Sequence, residues 1–428
     1  MLDLILRGAT LPDGREGLDI AVRDGRIVEV APALEETAAE EIDVAGRLVT
    51  PPFVDPHFHM DSTLSLGLPR FNESGTLLEG IALWGELQPD LTAEAVKSRA
   101  HEMCRWSIAM GTLAIRSHVD VTDPSLMAVE ALLEVKAEVA PWIDLQLVAF
   151  PQNGFYRDPP SADNLKRALD LGVEVVGGIP HFERTMADGA ASVTALCEIA
   201  AERGLLVDLH CDETDDPLSR HIETLARETK RLGMAGRVTG SHLTSMHSMD
   251  NYYVSKLLPL IAEAGVAVIA NPLINITIQG RHDAYPKRRG MTRVKELMAM
   301  GIPVALGHDC VMDPWYSLGS HDMLEVVHMA IHVGHMTGRD EMRSLFRSVT
   351  ETAAELLHLD GYGVTPGCHA DLVVLQAGDP IEAIRLRATR LYVIRRGRVI
   401  SRMAPSEARL DLDGETHKVD FLRPPPDG

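Results

Sequence analysis

Four short stretches of this 428-residue chain carry residues able to bind and activate water: Asp55-Pro56-His57-Phe58-His59, His210 with Glu213 three residues on, Ser241-His242, and His308-Asp309. In an extended strand, residues two apart face the same way, so His57 and His59 can offer nitrogen to one cation. A bare H-x-H pair is a weak signal and is equally consistent with two unrelated surface histidines. Four separate segments that each deliver His or Asp are harder to dismiss as satisfied core polar groups. Three imidazoles with one carboxylate suit Zn²⁺ or Fe²⁺, whereas Mg²⁺ and Ca²⁺ prefer oxygen. Such an ion lowers the pKa of a coordinated water and so generates the nucleophile a hydrolase needs at neutral pH.

These residues must be positioned by a scaffold, and the hydrophobic pattern suggests which. The middle of the chain alternates apolar runs with helical stretches, and eight candidate strands start near Phe53, Leu113, Asp144, Val173, Leu205, Arg237, Val266 and Ile302. Between strands, Ser161 to Gly172 shows helix signals: Ser161 as N-cap, Leu165, Ala168 and Leu169 on one face, and Gly172 just past the end. Eight βα units point to a closed (β/α)8 barrel, with a doubly wound sheet as the alternative. In a barrel the active site gathers at the C-terminal ends of the strands, where the candidate ligands fall. Residues 1–50 read as strands, with Leu18–Val22 and Arg26–Val30 alternating around the turn Asp24-Gly25. A similar pattern returns at Ala370–Leu375, Leu391–Ile394 and Val399-Ile400, so the two ends can pair into one small sheet domain. The expected division is therefore 1–50 and 363–428 for the small domain, with 51–362 for the barrel. The tail after Arg402, with Pro424-Pro425-Pro426, is expected to run extended over the surface.

Composition narrows the partners. With 45% hydrophobic and 24% charged residues the chain is globular, not disordered. A formal net charge of −21 repels nucleic acid and anionic membrane, and favours a small neutral substrate. No apolar run reaches membrane-spanning length, and the start, broken by Asp3 and Arg7, lacks a signal-peptide core. Five scattered cysteines without a C-x-x-C spacing fit a reducing compartment, so a cytoplasmic location is expected. Absence of C-x-x-C also excludes the zinc deaminases that use H-x-E with P-C-x-x-C.

Longer segments add a resemblance: Pro51–Val54, Pro56-His57, Ala140–Gln146, Val148–Gln152, Ile179–Glu183, Tyr285–Gly290 and Asp313–Tyr316. Through them the chain resembles the amidohydrolase superfamily and, within it, enzymes of the bacterial cytosine deaminase type. The resemblance implies a barrel with a small β-sandwich built from both termini, a homo-oligomer, and one divalent ion (Fe²⁺ or Zn²⁺) held by His57, His59, His210 and Asp309. Many relatives instead hold two metals through a modified strand-end lysine. Here Lys97, Lys136 and Lys166 all fall in helical patterns, which favours one metal. By the same resemblance Glu213 moves a proton from the attacking water to ring N3, His242 stabilises the tetrahedral intermediate, and Asp309 also serves the departing amine. Read without it, Glu213 is equally a surface residue in an acidic loop with Asp212, Asp215 and Asp216. Gln152 offers a donor and an acceptor to the N–H and C=O of a pyrimidine edge. Trp315 packs over the ring or acts as a plain lid, His118 and His181 are outer candidates, and Cys211 reads as core packing.

One departure bears on substrate. The family pattern continues after the ligand Asp with a second Asp, and this chain has Cys310. A smaller, uncharged side chain makes room for an apolar substituent. The expected reaction is therefore 5-methylcytosine to thymine plus ammonia, with some activity on cytosine. Ordinary cytosine deamination is the nearest rival. The others are opening of a cyclic amide, which the missing Lys and present Gln152 disfavour, and a metal-free binding protein.

Overall fold

The structure, a computed structural model, describes residues 1–423. Eight parallel strands follow one another around a single sheet: β1 (Phe53–Phe58), β2 (Thr112–Asp120), β3 (Asp144–Phe150), β4 (Val175–Gly178), β5 (Leu206–Cys211), β6 (Val238–His242), β7 (Ala267–Ala270) and β8 (Val304–Leu306). Each starts within two residues of its expected position. The sheet closes just beyond β8, where Asp309 N–H donates to the His57 carbonyl (2.9 Å) and His59 N–H donates to the Asp309 carbonyl (3.0 Å). Gly307 permits this approach, because a Cβ there would lie 2.9 Å from His57 Cβ and 2.5 Å from Asn271 Oδ1. The doubly wound alternative is thereby excluded.

Helices on the outside bury one apolar stripe each. Met186–Arg203 turns Val193, Leu196, Cys197 and Ala200 inward, starts on a Thr185 side-chain cap and stops at left-handed Gly204. Pro160–Asp170 buries Leu165, Ala168 and Leu169 as expected, with Gly172 just beyond its end. Ser161 is not its N-cap. The helix begins at Pro160, and the buried Ser161 hydroxyl donates to Asp158 Oδ2 (2.6 Å). Proline suits a first helical position because its missing N–H would have no partner there.

Outside the barrel, both ends of the chain build a sandwich of two four-stranded sheets. One runs Arg26–Pro32, Leu18–Arg23, Leu2–Ala9, Ala38–Asp43, and the other Arg398–Arg402, Arg390–Arg395, Leu372–Leu375, Leu48–Thr50. Period-two side chains from both (Leu4, Leu6, Ile20, Val22 with Val49, Leu372, Val374, Ile394) form one core. The expected sandwich from both termini is thus present, and Leu48–Thr50 is the strand that joins the early chain to the late one. The tail does not run extended throughout: Ala408–Leu412 and Glu415–Val419 form an exposed antiparallel hairpin. Pro424-Pro425-Pro426 lies outside the described residues. No helix among the described residues is long and apolar enough to cross a membrane.

Candidate active site

The candidate ligands meet at the C-terminal mouth of the barrel. His57 belongs to β1 and His59 follows it, both tied through backbone hydrogen bonds to Asp309, while His210 comes from β5 and His242 ends β6. Two of these residues hold left-handed backbone, His242 at φ 70° and Asp309 at φ 71°. Non-glycine residues seldom adopt that conformation, and it persists where the surrounding structure fixes a functional side chain.

Pairwise distances join all four expected ligands. His57 Nε2 lies 3.5 Å and His59 Nε2 3.3 Å from Asp309 Oδ1, and His59 Nε2 lies 3.0 Å from His210 Nε2. Two overlapping quartets keep every ligand atom within 4.8 Å of the others: His57, His59, His118, His210, and His57, His210, His242, Asp309. His57 Nε2, Asp309 Oδ1 and both ring nitrogens of His118 are buried without a hydrogen-bond partner. Buried polar atoms left unpaired are costly, and here they belong to residues of the two overlapping quartets. The donor set therefore fits one divalent metal ion of the nitrogen-preferring kind. No lysine lies in any barrel strand; Lys97, Lys136 and Lys166 are all helical.

Electrostatics suit a cation. Burial, reinforced by neighbouring imidazoles, holds His210 well below the usual histidine range, in the neutral form that ligates metals. Burial also holds His242 low, against the pull of Asp309. Burial would raise Asp309, but the adjacent His57 and His59 rings outweigh it and hold the carboxyl well below its ordinary value. Glu213 goes the other way: burial, then the charge of Asp309, push it well up.

A pocket opens onto this cluster, lined by His59, Gln152, His210, Glu213, Asp309, Cys310 and Trp315 with Leu77, Ile179, Ile274 and Ile278. Glu213 is buried, not on the surface, and its Oε1 lies 3.2 Å from His242 Nδ1. Asn275 Nδ2 approaches the same nitrogen at 3.0 Å. Trp315 lies 6.4 Å from the His59 ring, centroid to centroid, and also packs against the helix Leu77–Leu87. His181, just after β4, sits beneath the loop that carries Glu213, its Nδ1 3.1 Å from the His210 carbonyl oxygen and 3.4 Å from Glu213 N. Cys211 is buried in the core, and all five cysteines are free.

His118 is an outer candidate by sequence, yet its ring centroid lies 4.2 Å from that of His57 and 4.5 Å from that of His210. Asn275 and the apolar walls Leu77, Ile274 and Ile278 are not singled out by sequence. His118 was findable, since period two from Arg116 to Asp120 on β2 turns it inward. The apolar walls come from crossover segments and carry no local signal.

A parallel eight-stranded barrel with a sandwich from both termini and a strand-end His/Asp cluster defines a class, and residues 40–401 match the Amidohydrolase family: the chain belongs to that family. Among solved structures it is similar to 5-methylcytosine deaminase from Klebsiella pneumoniae liganded with 5-fluorocytosine, at 43% identity and TM-score 0.92, over 95% of this chain and 99% of that one. It is also 31% identical to pterin deaminase from Rhizobium rhizogenes (95% of this chain, 96% of that protein). N-isopropylammelide isopropyl amidohydrolase from Pseudomonas sp. (strain ADP) is 30% identical, over 93% of this chain and 97% of that protein. The family and these relatives support a hydrolase acting on C–N bonds of a small molecule.

Proposed function

We propose that the chain deaminates a free pyrimidine base, converting 5-methylcytosine to thymine plus ammonia and cytosine more slowly to uracil. One observation carries the reading: a single pocket faces the His/Asp cluster with the Gln152 amide, the Glu213 carboxyl, the Cys310 thiol and the Trp315 indole. The 43% identity to a 5-methylcytosine deaminase supports it. His57, His59, His210 and Asp309 hold one Fe²⁺ or Zn²⁺ ion, which supplies Lewis-acid activation of water when bound.

The chain's own residues do the rest. Glu213 takes a proton from the attacking water and delivers it to ring N3, in reach of both because it lines the pocket beside His242. His242 hydrogen-bonds the attacking oxygen as charge develops there. Asp309 takes the remaining proton of the attacking oxygen and passes it to the amine; the C4–N bond breaks, ammonia leaves and the C4 carbonyl remains. Gln152 pairs with the N–H and C=O edge, Trp315 covers one ring face, and Cys310 makes room for the 5-methyl group.

The test is kcat/KM for 5-methylcytosine, cytosine, a pterin and N-isopropylammelide, with metal analysis of the active protein. The expected result is a clear preference for 5-methylcytosine and one metal per chain. Faster turnover of the pterin or the triazine, or two metals both required, overturns the reading.

A further inference from the structure

Strand periodicity places a second polar layer beneath the ligand cluster. On β5, Asp208 precedes His210 by two residues; on β2, Arg116 precedes His118 by two, so each pair points the same way into the barrel. Arg116 and Asp208 are 1% and 0% exposed. Such barrel interiors are ordinarily filled by branched apolar side chains, and a buried ion pair costs several kcal/mol of desolvation per ion. An Arg–Asp pair here needs a physical reason.

Its hydrogen bonds supply one. Arg116 donates through Nε to Gln146 Oε1 (2.7 Å), through one terminal nitrogen to Asp208 Oδ2 (3.2 Å), and through the other to the Leu356 carbonyl (2.7 Å). The other oxygen of Asp208 accepts from Ser241 Oγ at 2.5 Å, and Ser241 Oγ lies 3.0 Å from His57 Nδ1. A hydroxyl has one proton, and a carboxylate beside a guanidinium only accepts. Ser241 therefore gives its proton to Asp208 and must accept from His57. His57 then carries its hydrogen on Nδ1, and the Nε2 lone pair, which has no other partner, faces Asp309 and the ligand cluster.

We propose that Ser241 and Asp208, anchored by Arg116, are positioning residues that lock His57 as the Nδ1–H tautomer and aim Nε2 at the metal. Outer partners of this kind fix ligand orientation and tautomer, and losing one typically weakens metal affinity or activity by about 10–100-fold. The inference rests on the metal-dependent reading of the site, not on the choice of base.

The experiment measures Zn²⁺ affinity of the full chain, stripped and reloaded, by competition with a chromophoric chelator. Ser241→Ala is expected to bind Zn²⁺ about 10–100-fold more weakly, and Ser241→Thr, which keeps the hydroxyl, to recover most of the loss. In a His57→Ala background, Ser241→Ala is expected to add no further loss, because its effect runs through that ring. A purely structural role for Ser241 would lower Tm and leave Zn²⁺ affinity unmoved. If Ser241→Ala does not fold, Asp208→Asn carries the test, since a carboxamide lets the hydroxyl reverse and is expected to weaken Zn²⁺ binding in the same direction. Parent-like affinity in the substituted chain, or an equal loss with and without His57, overturns the proposal. If none of the bases is turned over while these affinity shifts appear, the base assignment fails and the relay stands.

Discussion

Gly80 lies in the helix Leu77–Leu87, and a Cβ built on it would meet Trp315 Cδ1 at 2.3 Å. Ordinary contacts there begin at about 3.4 Å, so Gly80→Ala has to displace the indole by roughly 1 Å. Two opposing terms set the stability change. Overpacking a filled site costs about 1–3 kcal/mol, and replacing a helix-interior glycine by alanine returns about 1 kcal/mol. The net loss is therefore about 0–2 kcal/mol, and the protein stays folded. Catalysis is more exposed, because Trp315 lines the pocket and a displacement of about 1 Å can cost on the order of 10²-fold in rate. The expected outcome is a nearly unchanged Tm with kcat/KM for 5-methylcytosine lowered by about 10–100-fold, and little further effect of Gly80→Ala in a Trp315→Ala background. Both are read by steady-state assay and thermal unfolding of the four proteins. Parent-like kcat/KM in Gly80→Ala, with Trp315→Ala itself impaired, would show that the indole has free space and refute the reasoning.

Other outcomes follow from the same geometry. Glu213→Gln is expected to retain metal and lose about 10²–10⁴-fold in kcat; near-normal turnover with metal bound would place the proton shuttle elsewhere. Cys310→Asp should shift the kcat/KM ratio of 5-methylcytosine to cytosine towards cytosine by about 10–200-fold, and a ratio that does not move removes Cys310 from substrate choice. Burial lowers His181 to about 4. The unfolded chain therefore takes up its proton first, near pH 6.5, and native stability falls as pH drops from there towards 4, by up to about 3 kcal/mol from this group. Denaturant unfolding across that range should show a shallower slope in His181→Gln; an unchanged slope would assign the loss to other groups.

Much of the framework was legible because barrel strands are short apolar runs with chemistry at one end. His57, His59, His210, His242 and His308-Asp309 stood out for that reason, the family resemblance implied which of them hold the metal, and the positions of all eight strands came from the same pattern. Asp24 and Gly25, at φ 51° and 71°, make the expected hairpin turn. What the linear pattern concealed depends on pairing across long separations. Whether Glu213 was buried or solvated turned on packing that an acidic loop does not reveal. The barrel-floor residues Arg116, Asp208 and Ser241 look like unrelated polar residues until three strands bring them together. One trace was present: Asp208 precedes His210 by two residues, and period two makes it an inward neighbour of a candidate ligand. Ser161 misled because its preference for caps was weighed without the proline before it. The hairpin at Ala408–Val419 is almost wholly exposed, so no buried face marked it.

The strand Leu48–Thr50 ends two residues before β1 and pairs with Leu372–Leu375 near the far end of the chain. During synthesis, the sheet made by Leu2–Asp43 therefore emerges long before the strands that cover its apolar face. Leu4, Leu6, Ile20 and Val22 face no Leu372, Val374 or Ile394 until the whole barrel has been made. At about 5–20 residues per second that interval lasts tens of seconds, ample for an uncovered sheet to meet a neighbour or a chaperone. A chain interrupted between Asp309 and Leu372 keeps every candidate metal ligand and still lacks the cover for its first sheet, so the late strands must be made before the small domain can close.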